Sequence, residues 1–281
     1  MKSGRGLGLL LPAALLLLVA FVLPVGMLVP TSFRPYVPLV GITSGFTAGY
    51  YTRLVTDSYY LEIIGRTLAL GLTVTLATLL IGYPLAYFLA RTRSQWRNWL
   101  TLLVVFPLYL NLVVRTFGWI ALLAQNGLVN QALQTLGVVN EPVKLLFNFA
   151  GLMIALTHIF LPFMVLVLIG PIQNIPRDVE DAARVLGASW GSTFLRVTLP
   201  LSMPGILSGS ILVFVLTISA VVTPRLLGGP TYQVMSTLIF DEFLQRLNWP
   251  AGSAAALLLT LMVLALVFLS GVLARRTGAR A

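Results

Sequence analysis

A chain of 281 residues, 58% of them hydrophobic and only 9% charged, with repeated apolar runs, has the composition of a helical membrane protein. Its lack of cysteine excludes disulfide staples, thiolate metal sites and thiol nucleophiles. The net charge of +10 comes with no basic run carrying interleaved aromatic residues, so it reads as the loop bias of a membrane protein and not as nucleic-acid binding.

The first element follows a basic start, MKSGRG. Its apolar stretch, Leu7 to Val29, exceeds the roughly 7–15 residues of a cleavable signal core and is followed by no A-x-A site, so a retained first span is expected. Further apolar runs fall at about 63–90, 99–123, 149–170, 204–222 and 251–273. At about 1.5 Å per helical residue, each is long enough for a hydrocarbon core of about 30 Å, which makes six spans. Pro24, Pro84, Pro107 and Pro162 lie inside these runs and are expected to kink them.

The basic residues orient the spans. With the N-terminus cytoplasmic, one side collects Lys2, Arg5, Arg91, Arg93, Arg97, Arg177, Arg184, Arg196, Arg275, Arg276 and Arg280, against Arg34, Arg53, Lys144, Arg225 and Arg246 on the other. The short turn RTRSQWRN (91–98) carries the clearest signal, because short loops follow the positive-inside rule best. Both termini are therefore expected in the cytoplasm, with Trp96 and Trp99 at the inner interface and Trp119 and Trp249 at the outer. The outer connections are about 30–62, 124–148 and 223–250. In the last, Val234, Leu238, Phe243 and Leu247 recur near helical spacing and predict an interfacial or re-entrant helix. Asp241 and Glu242 read there as a solvated helix face, or as an attraction for a cation or a binding protein.

The cytoplasmic connection 174–204 concentrates Arg177, Asp178, Glu180, Asp181 and Arg184. Pro176 suits a first helical position, and the carboxylates fall in the first turns, where they favour the positive end of the helix dipole. Gly187 is the expected stop, Ser189 the cap of a second helix, Pro200 its break and Pro204 the start of the next span. Such a loop exceeds the usual 2–8 residues of a helix–helix connection, which favours a docking role over a plain link.

These residues resemble the cytoplasmic signature of ABC importer permeases: E-A-A, three residues, G, nine residues, I-x-L-P. Asp181-Ala182-Ala183, then Gly187, then Val197-Thr198-Leu199-Pro200 keep that spacing, with Asp for Glu and Val for Ile. The resemblance covers roughly 62–270. VRTFGWIALLAQNGLVN (114–130), LPFMVLVLIGPIQNIP (161–176), VTPRLLGGP (222–230) and LNWPAGSA (247–254) look like the spermidine/putrescine-type branch. It implies an all-α polytopic membrane protein with the type I importer permease fold. The implied division is an N-terminal helix and outer connection (1–61), a transmembrane domain (62–273, coupling loop 174–204) and a cytoplasmic tail (274–281).

The same resemblance implies a coupling helix seated in a groove of an ATP-hydrolysing subunit, with Glu180, Asp181, Ala182, Ala183, Gly187, Leu199 and Pro200 as the ATPase-coupling residues. The chain has no G-x-x-x-x-G-K-[ST] and so is not itself the ATPase of that class; no catalytic residue, metal or cofactor is expected in it, and ATP-Mg would bind a partner subunit. The implied partners are an ATPase dimer, a second permease (similar or identical), an extracytoplasmic solute-binding protein and membrane lipid, in a bacterial inner membrane. The implied cargo is a small polar solute of the polyamine or amino-acid-like class.

Four residues stand out for the path itself. Arg115, in the outer half of the third span, either faces the bundle interior as a gate or helix lock, or snorkels outward. His158 is a helix–helix contact or a proton or ligand group, and Gly228-Gly229 a tight packing turn or an outer gate. An ion-coupled secondary transporter is the main alternative. It normally carries intramembrane carboxylates, whereas the eight acids here lie in connections or at a span edge (Glu62).

Overall fold

The structure is a computed structural model that describes residue 12 and residues 15–92 and 94–276. Lys2, Arg5, Arg93 and Arg280, counted above for orientation, the start of the first apolar run and the last five residues of the tail lie outside the described residues.

In chain order, helix α1 (Leu15–Ser32) leads into a two-residue hairpin, β1 (Tyr36–Val37) paired antiparallel with β2 (Gly41–Ile42), and a short helix α2 (Gly49–Thr56). Helix α3 (Ser58–Arg91) is followed by α4 (Trp96–Val105), a 3-10 turn (Phe106–Tyr109), α5 (Leu112–Leu123) and α6 (Leu128–Thr135). Next come α7 (Phe149–Gln173), α8 (Arg177–Val185), α9 (Trp190–Leu201) and α10 (Met203–Ser219). A π-helical turn (Pro224–Gly228), α11 (Met235–Leu244) and α12 (Trp249–Arg276) complete the described chain. Among the described residues five helices are long and apolar enough to cross a membrane, and the pair α9–α10, bent by 66°, makes up to six.

The chain forms two compact units, one of Met1–Ile63 with Met235–Met262 and the other of Ile64–Val234 with Val263–Ala281. The larger unit is built around α7, whose Leu152, Leu156, Met164, Val165, Leu168 and Ile172 are fully buried. Helices α3 and α10 pack on it at contacts too close for side chains. A Cβ on Gly205 would stand 2.8 Å from the Pro171 ring, and one on Gly209 2.8 Å from Met164 Sδ. Between α3 and α10, a Cβ on Gly71 would meet Phe214 at 2.7 Å. Such approach is how helices gain contact in lipid, where burial from water adds no drive between them. In the smaller unit α1 has exposed apolar side chains that include Leu15, Leu18, Val22, Met27 and Val29.

Two expected boundaries are corrected. The run 99–123 is not one helix: Pro107, which has no N–H to donate, lies in the 3-10 turn, and Leu110 is extended. Asn111 then restarts the chain as α5, its side chain accepting from Val113 N at 2.8 Å. The third crossing helix is Leu112–Thr135, formed by α5 with α6.

Nor does Pro200 break the helix after Ser189. A π turn over Phe194–Thr198 moves the backbone bonding to i−5, so that Leu199 N reaches Phe194 O and the proline ring is accommodated. The break comes at Ser202, and the next helix starts at Met203, with Pro204 in its first turn.

Candidate functional site

The charged connection folds as local sequence rules require. Pro176 precedes α8 with φ −59° and ψ 134°, and Asp178 and Glu180 occupy its first turn. Gly187 ends it at φ +88°, a left-handed position suited to glycine, with Gly187 N bonding Arg184 O at 2.9 Å and Ala188 N bonding Ala183 O at 3.0 Å. Ser189 caps α9, its Oγ accepting from Ser192 N.

The two faces of α8 differ. Outward, Asp181 and Ala182 are exposed and Ala183 half-buried; beyond α8, Gly187 and, on α9, Pro200 are exposed and Leu199 half-buried. Val185 and Leu186 present apolar side chains that are 87% and 88% exposed on an otherwise charged segment. Inward, Glu180 is buried. Its Oε1 accepts from Arg91 Nη2 at 2.8 Å and from Thr198 Oγ1 at 2.8 Å. Arg91 Nη1 also donates to Ile175 O at 2.9 Å, and Arg177 Nη2 returns a bond to Arg91 O at 2.7 Å. The Arg91 and Glu180 side chains are 14% and 8% exposed, so solvent screens the pair little. Removing one partner of such a buried pair costs about 3–5 kcal/mol. Glu180, grouped in the sequence with residues meeting an ATPase, thus points into its own chain. Arg91 and Thr198 were missed; the trace in the sequence is a cluster of acids, Asp178, Glu180 and Asp181, in the same molecule as an arginine-rich end of the second span. The contact between Arg184 and Asp181, 3.9 Å apart and largely exposed, adds little.

The intramembrane candidates are not gathered into one site. Trp119 Nε1 on α5 donates to His158 Nδ1 on α7 at 3.2 Å, a helix–helix hydrogen bond. Arg115, half-buried one turn before Trp119, has Nε and Nη1 buried with no hydrogen-bond partner among the described residues. The other pair lies elsewhere: Leu227 O accepts from Phe147 N at 2.9 Å, and a Cβ on Gly229 would stand 2.6 Å from the Phe147 ring. Gly229, at φ +59°, therefore lets the chain pass Phe147 closely, while a Cβ on Gly228 would meet only ordinary contacts.

Glu242 departs from the solvated face expected of it. Its side chain is 5% exposed and pairs with Arg246 at 2.7 Å, while Oε2 is buried without a hydrogen-bond partner among the described residues. It borders a 180 Å³ cavity with Tyr50, Arg53, Tyr60 and Asn248. Burial pushes its carboxyl above the usual range, and Arg246 opposes that shift.

Comparison with known proteins places these features. Residues 82–280 match the family described as binding-protein-dependent transport system inner membrane component. The spermidine/putrescine transport system permease protein PotB of Escherichia coli (strain K12) is 36% identical over 247 residues, covering 88% of this chain and 90% of that protein. The protein of the same name from Haemophilus influenzae is 34% identical, covering 78% and 76%. Among solved structures, a bacterial alginate ABC transporter in complex with an alginate pentasaccharide-bound periplasmic protein matches in fold, with TM-score 0.76, 21% identity and coverage of 96% and 93%.

The chain belongs to the family of inner-membrane permease components of binding-protein-dependent ABC importers. It is a multi-pass inner-membrane protein that works with an ATPase and a binding protein. ATP binds in the ATPase subunit of these transporters, and the permease is not itself the enzyme. This assignment displaces the ion-coupled secondary transporter.

Proposed function

We propose that this chain carries a polyamine of the spermidine or putrescine class, or a closely related amine, across the inner membrane. The observation that carries this reading is the 36% identity to PotB over nearly the whole of both chains. Fold alone does not select a cargo, since the alginate transporter of similar fold handles an acidic polysaccharide.

In this reading α8 is the coupling helix. Its exposed Asp181 and Ala182, with the apolar Val185 and Leu186 at its tip, enter the groove of the ATPase, and Gly187 and Pro200 shape the segment around them. A second permease, similar or identical, fills the other groove, and both termini lie in the cytoplasm. Residues 1–61 form an N-terminal anchor and outer connection, 62–273 the transport domain and 274–281 a cytoplasmic tail. ATP closes the ATPase dimer, draws the coupling helices together and opens a path to the outside, where the loaded binding protein releases its solute. Arg115 is a gate or helix-locking residue in this scheme, since its cation does not favour contact with a polyamine; His158 and Gly228-Gly229 belong to the path or its outer gate.

The test is purification through a C-terminal tag, mass spectrometry of the co-purifying subunits, and reconstitution in liposomes with radiolabelled spermidine and putrescine. ATP-dependent uptake of either, competed by the other, is expected. A complex whose binding protein takes no amine would remove the cargo assignment, and a chain that purifies alone after crosslinking would remove the assembly.

A further inference from the structure

We infer that Arg91 and Glu180 are positioning residues that lock α8 to the cytoplasmic end of α3, so that the two helices move as one body when ATP binds. The inference rests on the reading of α8 as the ATPase-contacting helix. A docking helix tethered only by its flanking loops would absorb motion instead of passing it on. Here the links run both ways: Arg91 holds Glu180 and Ile175 O, while Arg177 from α8 holds Arg91 O at the last turn of α3. Thr198 of α9 donates to the same Glu180 oxygen, so three helices meet on one carboxylate.

Charge-assisted bonds to a carboxylate at 2.8 Å, shielded from water, resist sliding better than apolar contact, because any displacement strands a buried charge. Motion imposed on the outer face of α8 would pass to α3. That helix packs Gly82 on Met164 of α7 and Gly71 on Phe214 of α10, so the displacement would reach the centre of the larger unit.

The chain is naturally free of cysteine, which makes a two-site distance measurement direct. Leu80→Cys on α3 (73% exposed) and Val179→Cys on α8 (41% exposed and outside the part of α8 placed in the ATPase groove) would carry spin labels in the complete transporter in nanodiscs. Pulsed electron resonance would be recorded without nucleotide and after trapping with ATP and vanadate. The expected result is one narrow distance, shifting by less than about 2 Å between states, the scale of a small helix shift. A larger shift in the otherwise native chain overturns the inference.

Glu180→Gln should broaden the distribution and make it depend on nucleotide. If that variant does not assemble, Thr198→Val gives the same test with one bond removed. Lower thermal stability with a distance still narrow and nucleotide-independent would reduce the pair to an ordinary structural contact and overturn the inference. Separately, crosslinking of Leu186→Cys to the ATPase tests the underlying reading. Its failure would remove the docking role while the distance still reported whether the helices are locked.

Discussion

Gly187 shows how much one backbone angle can carry. At φ +88°, with no described residue within 4 Å of where a Cβ would stand, a substitution there meets strain and no clash. A β-branched residue in a left-handed position costs about 1–2 kcal/mol, enough to remodel the turn without unfolding a membrane bundle. Gly187→Val should therefore abolish ATP-driven uptake while expression and membrane insertion persist, and Gly187→Asn, which tolerates that conformation, should retain much of it. Equal uptake by the valine variant would remove Gly187 from the coupling element.

Glu242 makes a second residue-scale prediction, through pH. Its folded-state carboxyl titrates above the ordinary 4.5 because of burial, with Arg246 opposing and Asp241 adding to the rise. The folded chain then binds the proton more readily than the unfolded one, so this group's contribution to stability is full below about 4.5 and is lost as pH rises through the elevated value. In detergent, the melting temperature of the native chain relative to Glu242→Gln should rise on acidification through that window; a flat difference would contradict the burial. Gly187 and Ser189 were legible in the sequence because a stop and a cap are local. The inward turn of Glu180 was not, since its partner Arg91 lies 89 residues away.

At the scale of elements, the apolar runs located the helices, and the prolines were an uneven guide to their breaks. Pro107 and Pro200 have the same missing N–H, yet only the first coincides with a break. A π turn can absorb a proline where neighbouring backbone re-bonds one residue further back, and periodicity does not reveal where that happens. Close helix packing was equally hidden, because a glycine in an apolar run reads the same whether it faces lipid or a ring. The α7–α10 contact separates two such glycines. A Cβ on Gly205 meets the Pro171 ring, which cannot rotate away, whereas one on Gly209 meets the flexible thioether of Met164. Overpacking a tight contact costs about 1–3 kcal/mol. Gly205→Ala should fall in that range and Gly209→Ala well below it, measured as loss of thermal stability of the purified complex. Equal losses would mean that the helices simply separate at both sites.

For the whole molecule, orientation is the property on which the mechanism hangs, and two independent arguments bear on it. The first is the excess of arginine and lysine on one set of connections, which is statistical. The second is geometric: the bond between Arg91 and Glu180 requires the end of α3 and the start of α8 to share one side of the membrane, whatever the charge count. The first argument then assigns that side to the cytoplasm, because the arginine-rich turn after α3 is short. Single cysteines in the naturally cysteine-free chain give the test, using a membrane-impermeant maleimide. Val179→Cys, 41% exposed on α8 and not among the residues placed in the ATPase groove, should label only in inverted vesicles, and Val40→Cys, 72% exposed in the first outer connection, only in intact spheroplasts. The reverse pattern would overturn the orientation and leave the Arg91–Glu180 lock in place, with no ATPase on its side of the membrane to drive it. Labelling of both positions from one side would instead show an even number of crossings between them, removing a span from the count on which the coupling scheme depends.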